Sequence, residues 1–436
     1  MSSERFEQEL PSLLDDLYMG PMPTYRNDVI QQTARTRQRP AWTFIERWLP
    51  MVEIARQPLL APRLPWRTIG LGFVLLALLV AFIAALVAAG HPNLPQPFGR
   101  ARNGLVAYAS SGDIYTVDPI TGSSTAIVKG SQTDINPRWS RDGTLLAFER
   151  KVQGDAGAGL LFVARADGSA PIRVTPGALA VISGYTFSPD GKEILISAEI
   201  DAVPRILIAA TNGSGSRQLD LPAAATNASW RPPDGSEILF MDAGDDSSGY
   251  GGIYAVNVES GRVRTILARG PTAGPVRGHP MLSPDGSLIS YGEWGGGASN
   301  DGLDVQTHVM KADGTGDRSL PIPANAVWQA PYAWSNDGTR LLAIRGLTNG
   351  LEQSRPVAIP VDGRSTGVEI PYPGGVNLAL FPSAWEWAPN DSSILGTPVD
   401  SSGAFLDQVL LDPAAGTSRT VPWASVSQPS WQRLAP

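Results

Sequence analysis

Residues Asp134 to Phe148 read DINPRWSRDGTLLAF: a polar lead-in, a Trp, a Ser-Arg-Asp-Gly turn and an apolar run. The segment before the turn suits one strand. Asp-Gly closes a tight hairpin because Gly takes positive φ at little cost, and the apolar run forms the neighbouring strand. The pattern returns as FSPDGKEILI from Phe187, WRPPDGSEIL from Trp230, LSPDGSLISY from Leu282, WSNDGTRLLA from Trp334 and WAPNDSSILG from Trp387, with anchors 48, 43, 52, 52 and 53 residues apart. One four-stranded propeller blade requires about 40 to 50 residues, so the repeat decides the fold.

A second pattern, an apolar alternation ending in a polar Gly turn, occurs seven times: at Asp113, Leu160, Ile206, Ile253, Thr307, Val357 and Val409. The excess of one resolves at the ends of the chain. Gly104 to Val128 supplies three outer strands with no Trp strand before them, and Ser430-Trp431-Gln432 is a Trp strand with nothing after it. Joined, they make a seventh blade, and the expected fold class is an all-β, seven-bladed β-propeller over residues 104–436, closed by pairing of its N- and C-terminal strands.

Asp134, Asn136, Pro137, Trp139, Ser140, Asp142, Gly143, Ala147 and Phe148 match the repeat of TolB-like propellers. The chain resembles that family of WD-like, extracytoplasmic propellers over roughly residues 104 to 435. The resemblance implies a fold and a place in the bacterial envelope, and propellers host binding and catalysis alike. It departs from TolB itself in blade count and in lacking an obvious counterpart of TolB's extra domain.

Composition agrees: Gly 46 and Pro 38 in 436 residues suit many short strands and turns. Residues 69–89, IGLGFVLLALLVAFIAALVAA, are uncharged and apolar on every face. As a helix they rise about 30 Å, the thickness of the bilayer hydrocarbon, and 68–90 is read as one transmembrane helix. A cleaved signal peptide would not follow so long a polar leader. From Arg35 to Arg67 seven Arg stand against Glu46 and Glu53, while the far side offers only Arg100 and Arg102 nearby. The positive-inside rule then sets the N-terminus in the cytoplasm and the propeller outside, the chain being a single-pass protein of the inner membrane.

Residues 1–67 form the expected cytoplasmic segment. Phe6, Leu10, Leu13, Leu14 and Leu17 share one helical face, a second helix runs from Thr24 to about Gln38, and Trp42, Phe44, Ile45, Trp48, Leu49 and Val52 make an interfacial stretch. These helices pack together, rest on the membrane, or dock a cytoplasmic protein through residues 1–40. Residues 91–103 are a linker. The layout resembles single-pass anti-sigma regulators, but with no Cys in the chain and His91, His279 and His308 all beyond the span, only a metal-free version is open.

Charge excludes one class. Beyond the span, 25 basic residues face 33 acidic ones, a poor balance for gripping nucleic acid. No Gly-x-Ser-x-Gly elbow, His-Glu-x-x-His, P-loop or dinucleotide fingerprint occurs. His279 and His308 are read as strand residues. The chain is expected to end at blade closure, with no room for an appended peptidase domain. The repeated turn aspartates Asp142, Asp190, Asp234, Asp285 and Asp337 are read as turn formers, not metal ligands.

The variable loops follow the second strand of each blade: Lys151 to Gly159, Glu199 to Arg205, Asp242 to Gly252, Gly292 to Asp304 and Gly346 to Arg355. They emerge opposite the Asp-Gly hairpins, and loops on a rigid scaffold carry recognition. Asp242, Asp245, Asp246, Tyr250, Glu293, Trp294, Asn300, Asp301 and Asp304 are therefore the candidate binding face, acidic with exposed aromatics, without a full calcium-ligand spacing. The expected function is a membrane-anchored binding or scaffold module without cofactor, taking a protein or envelope ligand on that face, and not an enzyme. The alternatives are the metal-free regulator and a propeller hydrolase or lyase with its site in the channel.

Overall fold

In the computed structural model the chain divides into two compact units, Met1–Ala88 and Ala89–Pro436. The structure describes residues 98–221, 224–242, 251–270, 276–295, 304–347, 354–371, 384–397 and 407–435. The expected cytoplasmic segment, the expected span at 68–90 and the expected linker up to residue 97 lie outside the described residues.

The described residues form seven four-stranded antiparallel sheets, a seven-bladed propeller. Blade 1 is the closing blade: Ser430–Leu434 pairs with Arg102–Ser110, followed outward by Asp113–Val117 and Ser124–Val128. Trp431 stands opposite Val106 and Ser430 opposite Ala107. The innermost strands of blades 2 to 7 are Asp134–Trp139, Val181–Phe187, Ala225–Trp230, Val276–Leu282, Trp328–Trp334 and Ala384–Trp387. Each ends on the anchor residue of the repeat.

The anchors explain why the pattern needs a large apolar residue there. Apolar clusters fill the spaces between adjacent blades; one joins Val106, Tyr108 and Trp431 of blade 1 to Leu395 and Leu410 of blade 7. The indoles also stitch the ring. Trp230 Nε1 donates to Thr186 O at 3.2 Å, Trp334 Nε1 to Met281 O at 3.1 Å and Trp387 Nε1 to Ala333 O at 3.3 Å. In each case the acceptor is the residue just before the anchor of the preceding blade, so indole burial carries no unsatisfied N–H there.

The turn aspartates serve their own backbone. Asp142 Oδ1 accepts from Ser140 Oγ at 2.6 Å and from Thr144 N at 3.1 Å, while Ser140 Oγ accepts from Leu145 N at 2.9 Å. Gly143 in this turn has φ of 71°, and a methyl there would collide with the Arg433 carbonyl of the closing strand. Gly143→Ala combines a left-handed backbone with that collision, and should cost about 1–3 kcal/mol of stability. Urea unfolding with an unchanged midpoint would show that this turn is not pressed against the seam.

Two of the expected loops are not loops. Glu193–Ile200 and Val203–Ala210 pair along their whole length, leaving only Asp201 and Ala202, with φ of 52° and 60°, as a two-residue turn. Both central residues in the left-handed region match the twist of a tight hairpin. Leu145–Val152 and Asp155–Arg165 likewise run on to a turn at Gln153-Gly154. The polar residues of these segments belong to extended hairpins, the second with a register shift between Lys151 and Val152 near its tip. The other three loops include undescribed residues.

Candidate channel site

The channel is walled by the innermost strands, and the residue just before each anchor lines it: Arg138, Thr186, Ser229, Met281, Ala333, Glu386 and Ser430. Five of these are small or apolar. The two charged ones have opposite sign and come from blades 2 and 7, with the closing blade between them. Two residues after the anchor, where the other copies carry Pro189, Pro232, Pro284, Asn336 and Pro389, blades 2 and 1 carry Arg141 and Arg433. Three guanidinium groups and one carboxylate thus gather on the seam side of the ring, lining a cavity of about 560 Å³ together with Asn136, Tyr185 and Gln428.

Glu386 is held at one oxygen. Trp431 N donates to Glu386 Oε2 at 3.2 Å, and Arg138 Nη1 stands 4.0 Å from the same oxygen. About a third of its side chain, 32%, faces the open cavity. Burial pushes the carboxyl above the usual carboxylate range, and this outweighs the opposing pull of Arg138, Arg141 and Arg433. Arg433 is pushed down to about 10, by burial first and by the Arg141 charge next. Its Nη1 donates to Asn336 Oδ1 at 2.8 Å and its Nη2 to Gly99 O at 2.6 Å. Arg141 is likewise lowered by burial, and its guanidinium carbon lies 4.9 Å from the Phe98 ring centroid. Arg138 donates to Gln428 Oε1, and the Tyr185 hydroxyl donates to Asn136 O.

The entry segment covers the Asp-Gly side of this cluster. Arg100 Nε donates to Asp391 Oδ2 at 3.1 Å, its Nη2 reaches Asp337 Oδ2 at 2.5 Å, and Ala101 N donates to Pro389 O at 2.8 Å. Phe98 and Gly99 are thereby fixed beneath Arg141 and Arg433.

The residues singled out on the loop face lie elsewhere. Asp242 ends its strand buried, at 5% exposure, in an ion pair with Arg269. Glu293 pairs with Arg277 at 2.9 Å, Trp294 is half-buried with its ring 6.3 Å from that of His279, and Asp304 is exposed. Asp245, Asp246, Tyr250, Asn300 and Asp301 lie outside the described residues. His279 sits on a strand bulge at φ of 54°, its imidazole lowered by burial. His308 Nδ1 lies 3.2 Å from Asp317 Oδ1 and 3.3 Å from the Tyr291 hydroxyl. Neither His lines the channel cavities. Among the described residues no set of three His, Asp or Glu converges as a metal site.

What the copies share fixes the fold and carries no mark of the channel cluster. The signal was present where they differ: aligned on the anchor, one position reads Arg, Thr, Ser, Met, Ala, Glu, Ser and another Arg, Pro, Pro, Pro, Asn, Pro, Arg. Charged residues at positions otherwise small or Pro mark the site.

No family model matches the chain. It is 25% identical over 181 residues to a Bacillus subtilis protein named as the uncharacterized peptidase YuxL, a match spanning 41% of this chain and 24% of that one. The chain thus spans about a quarter of the length of the curated relative it matches. Among solved structures, an oligogalacturonate lyase in complex with manganese superposes with a TM-score of 0.53 at 13% identity, over 74% of this chain and 85% of that one. TolB from Acinetobacter baumannii superposes at 0.43 with 15% identity, over 78% and 68%. The fold is thus that of a propeller with TolB-like neighbours. The expectation of a chain that is not an enzyme is overturned by the sequence likeness to the Bacillus subtilis protein, which is named as a peptidase.

Proposed function

We propose that the chain is a propeller enzyme working in its central channel, with Glu386 as the proton-transfer residue and Arg138, Arg141 and Arg433 stabilising the charge that develops. One observation carries the reading: an enclosed carboxyl raised by burial, open to a cavity and bracketed by three arginines. A carboxyl tuned towards neutral pH is an effective base. Fixed guanidinium groups stabilise a developing oxyanion or enolate without reorganising.

Elimination is favoured because it needs a base and cations, both in place, and no nucleophile. The lyase neighbour supports that choice in kind. The peptidase relative supports hydrolysis as the second reading, with the same carboxylate activating water. Incubating the chain with acidic oligosaccharides and with peptides separates them: a new ultraviolet absorbance from an unsaturated product supports elimination, and new amino termini support hydrolysis. Turnover of neither class would remove the proposal.

We further propose that the enzyme is tethered by residues 69–89 with its propeller outside the cytoplasmic membrane, that the loop face meets an envelope partner, and that residues 1–40 dock a cytoplasmic protein. The Arg-rich near flank supports the orientation. A reporter fused after Pro436 that works only when exported should be active, and a cytoplasmic C-terminus would overturn the topology.

A further inference from the structure

We infer that the channel site is built to take a carboxylate anion, with Arg141 as the residue that decides this ligand class. The inference rests on the channel being the working site and adds what the site receives.

Charge comes first. Among the described residues, the charged ones lining the channel cavities are Arg138, Arg141 and Arg433 against Glu386. Three cations facing one anion give the wall a net positive charge inside a chain whose formal net charge is −7. A positive cleft in a negative molecule concentrates anions where the wall is enclosed.

Arg141 is the second observation. Arg138 donates to Gln428 and stands beside Glu386; Arg433 donates to Asn336 and Gly99. Among the described residues Arg141 shows no hydrogen bond or ion pair, only the ring of Phe98 against its guanidinium. Arg141 is half-buried, and withdrawing a guanidinium from water is costly unless an anion or hydrogen-bond acceptors meet it. Its planar fork matches the two oxygens of a carboxylate.

The geometry also sets charge and direction. A dianionic phosphate would bring a second negative charge towards Glu386, whereas a carboxylate brings one. Phe98 and Gly99 cover the Asp-Gly side, fixed there by Arg100 on Asp337 and Asp391. The ligand therefore reaches Arg141 from the larger cavity, which brings the atoms next to its carboxylate towards Glu386.

The full 436-residue chain provides the test. Trp139 and Trp431 line the cavity and report occupancy by fluorescence. Propionate, a monocarboxylate, should quench them saturably, and uncharged propionamide should not. Arg141→Asn should bind propionate at least about tenfold more weakly, with an unchanged melting temperature, because Asn336 fills the equivalent turn position in blade 6. Glu386→Gln should bind propionate as well or better, since a like charge is gone. No propionate binding, phosphate bound as tightly, or unchanged affinity in Arg141→Asn would each overturn the inference. Loss of turnover in Glu386→Gln with unchanged affinity in Arg141→Asn sinks the ligand class and leaves the enzyme standing. The opposite pair of results does the reverse.

Discussion

Glu386→Gln should lower kcat by about 10²–10⁴-fold, the range for losing a general acid or base. Gln keeps the shape and can still accept from Trp431 N, so the loss isolates proton transfer from packing. The pH dependence has a definite sign. Burial raises the folded carboxyl above its unfolded value, so the base form accumulates only as pH climbs past the usual carboxylate range. The acidic limb of kcat/KM should sit correspondingly high in the wild type and vanish in the variant. Stability runs the other way: a raised carboxyl supports the fold while protonated, and that support is lost as pH rises through its folded value. At neutral pH the variant should melt no lower than the wild type. Full turnover in Glu386→Gln would end the assignment.

Deleting residues 428–436 should unfold the propeller or leave an open ring that melts far below the intact chain. The strand Ser430–Leu434 is the only inner strand of blade 1, and its loss exposes Arg102–Ser110 as an unpaired edge. It also removes Trp431, at 3% exposure in the apolar cluster between blades 1 and 7. Trp431→Ala alone should cost about 3–5 kcal/mol. The deletion further removes the bond from Gln432 Nε2 to Gly143 O at 2.9 Å and that from Trp139 N to Ser430 Oγ at 3.3 Å. Urea denaturation with a midpoint as high as that of the whole chain would contradict closure by this strand.

The blade count and the closing pair were legible because anchor, turn and strand alternation are local properties that repeat. Trp139, Asp142 and Gly143 announce a strand end and a hairpin whatever surrounds them. The hairpin at Asp201-Ala202 was not legible, because neither residue is the Gly or Asn expected where φ is positive. Asp242 was read from its polar neighbours as a loop residue, and its burial depends on Arg269, a partner 27 residues on. The channel cluster is more distant still: Arg138 and Gln428 are separated by 290 positions and meet only because the ring closes. What joins them is a fact of topology: aligning the repeats marks the unusual residues, but it does not say that they meet.

The placement of the cluster at the seam has a consequence in time. Arg138 and Arg141 belong to the second blade laid down from the N-terminus, Glu386 to the seventh, and Arg433 to the strand that returns to the first. Until that strand docks, the peptide N–H of Trp431 is not there to orient Glu386. A chain emerging from the ribosome therefore carries all its other blades before the four charged residues are gathered, and a chain halted short of the strand Ser430–Leu434 would lack the proposed proton-transfer site. Ring closure acts as a built-in checkpoint: closing the fold and assembling the proposed site become one event.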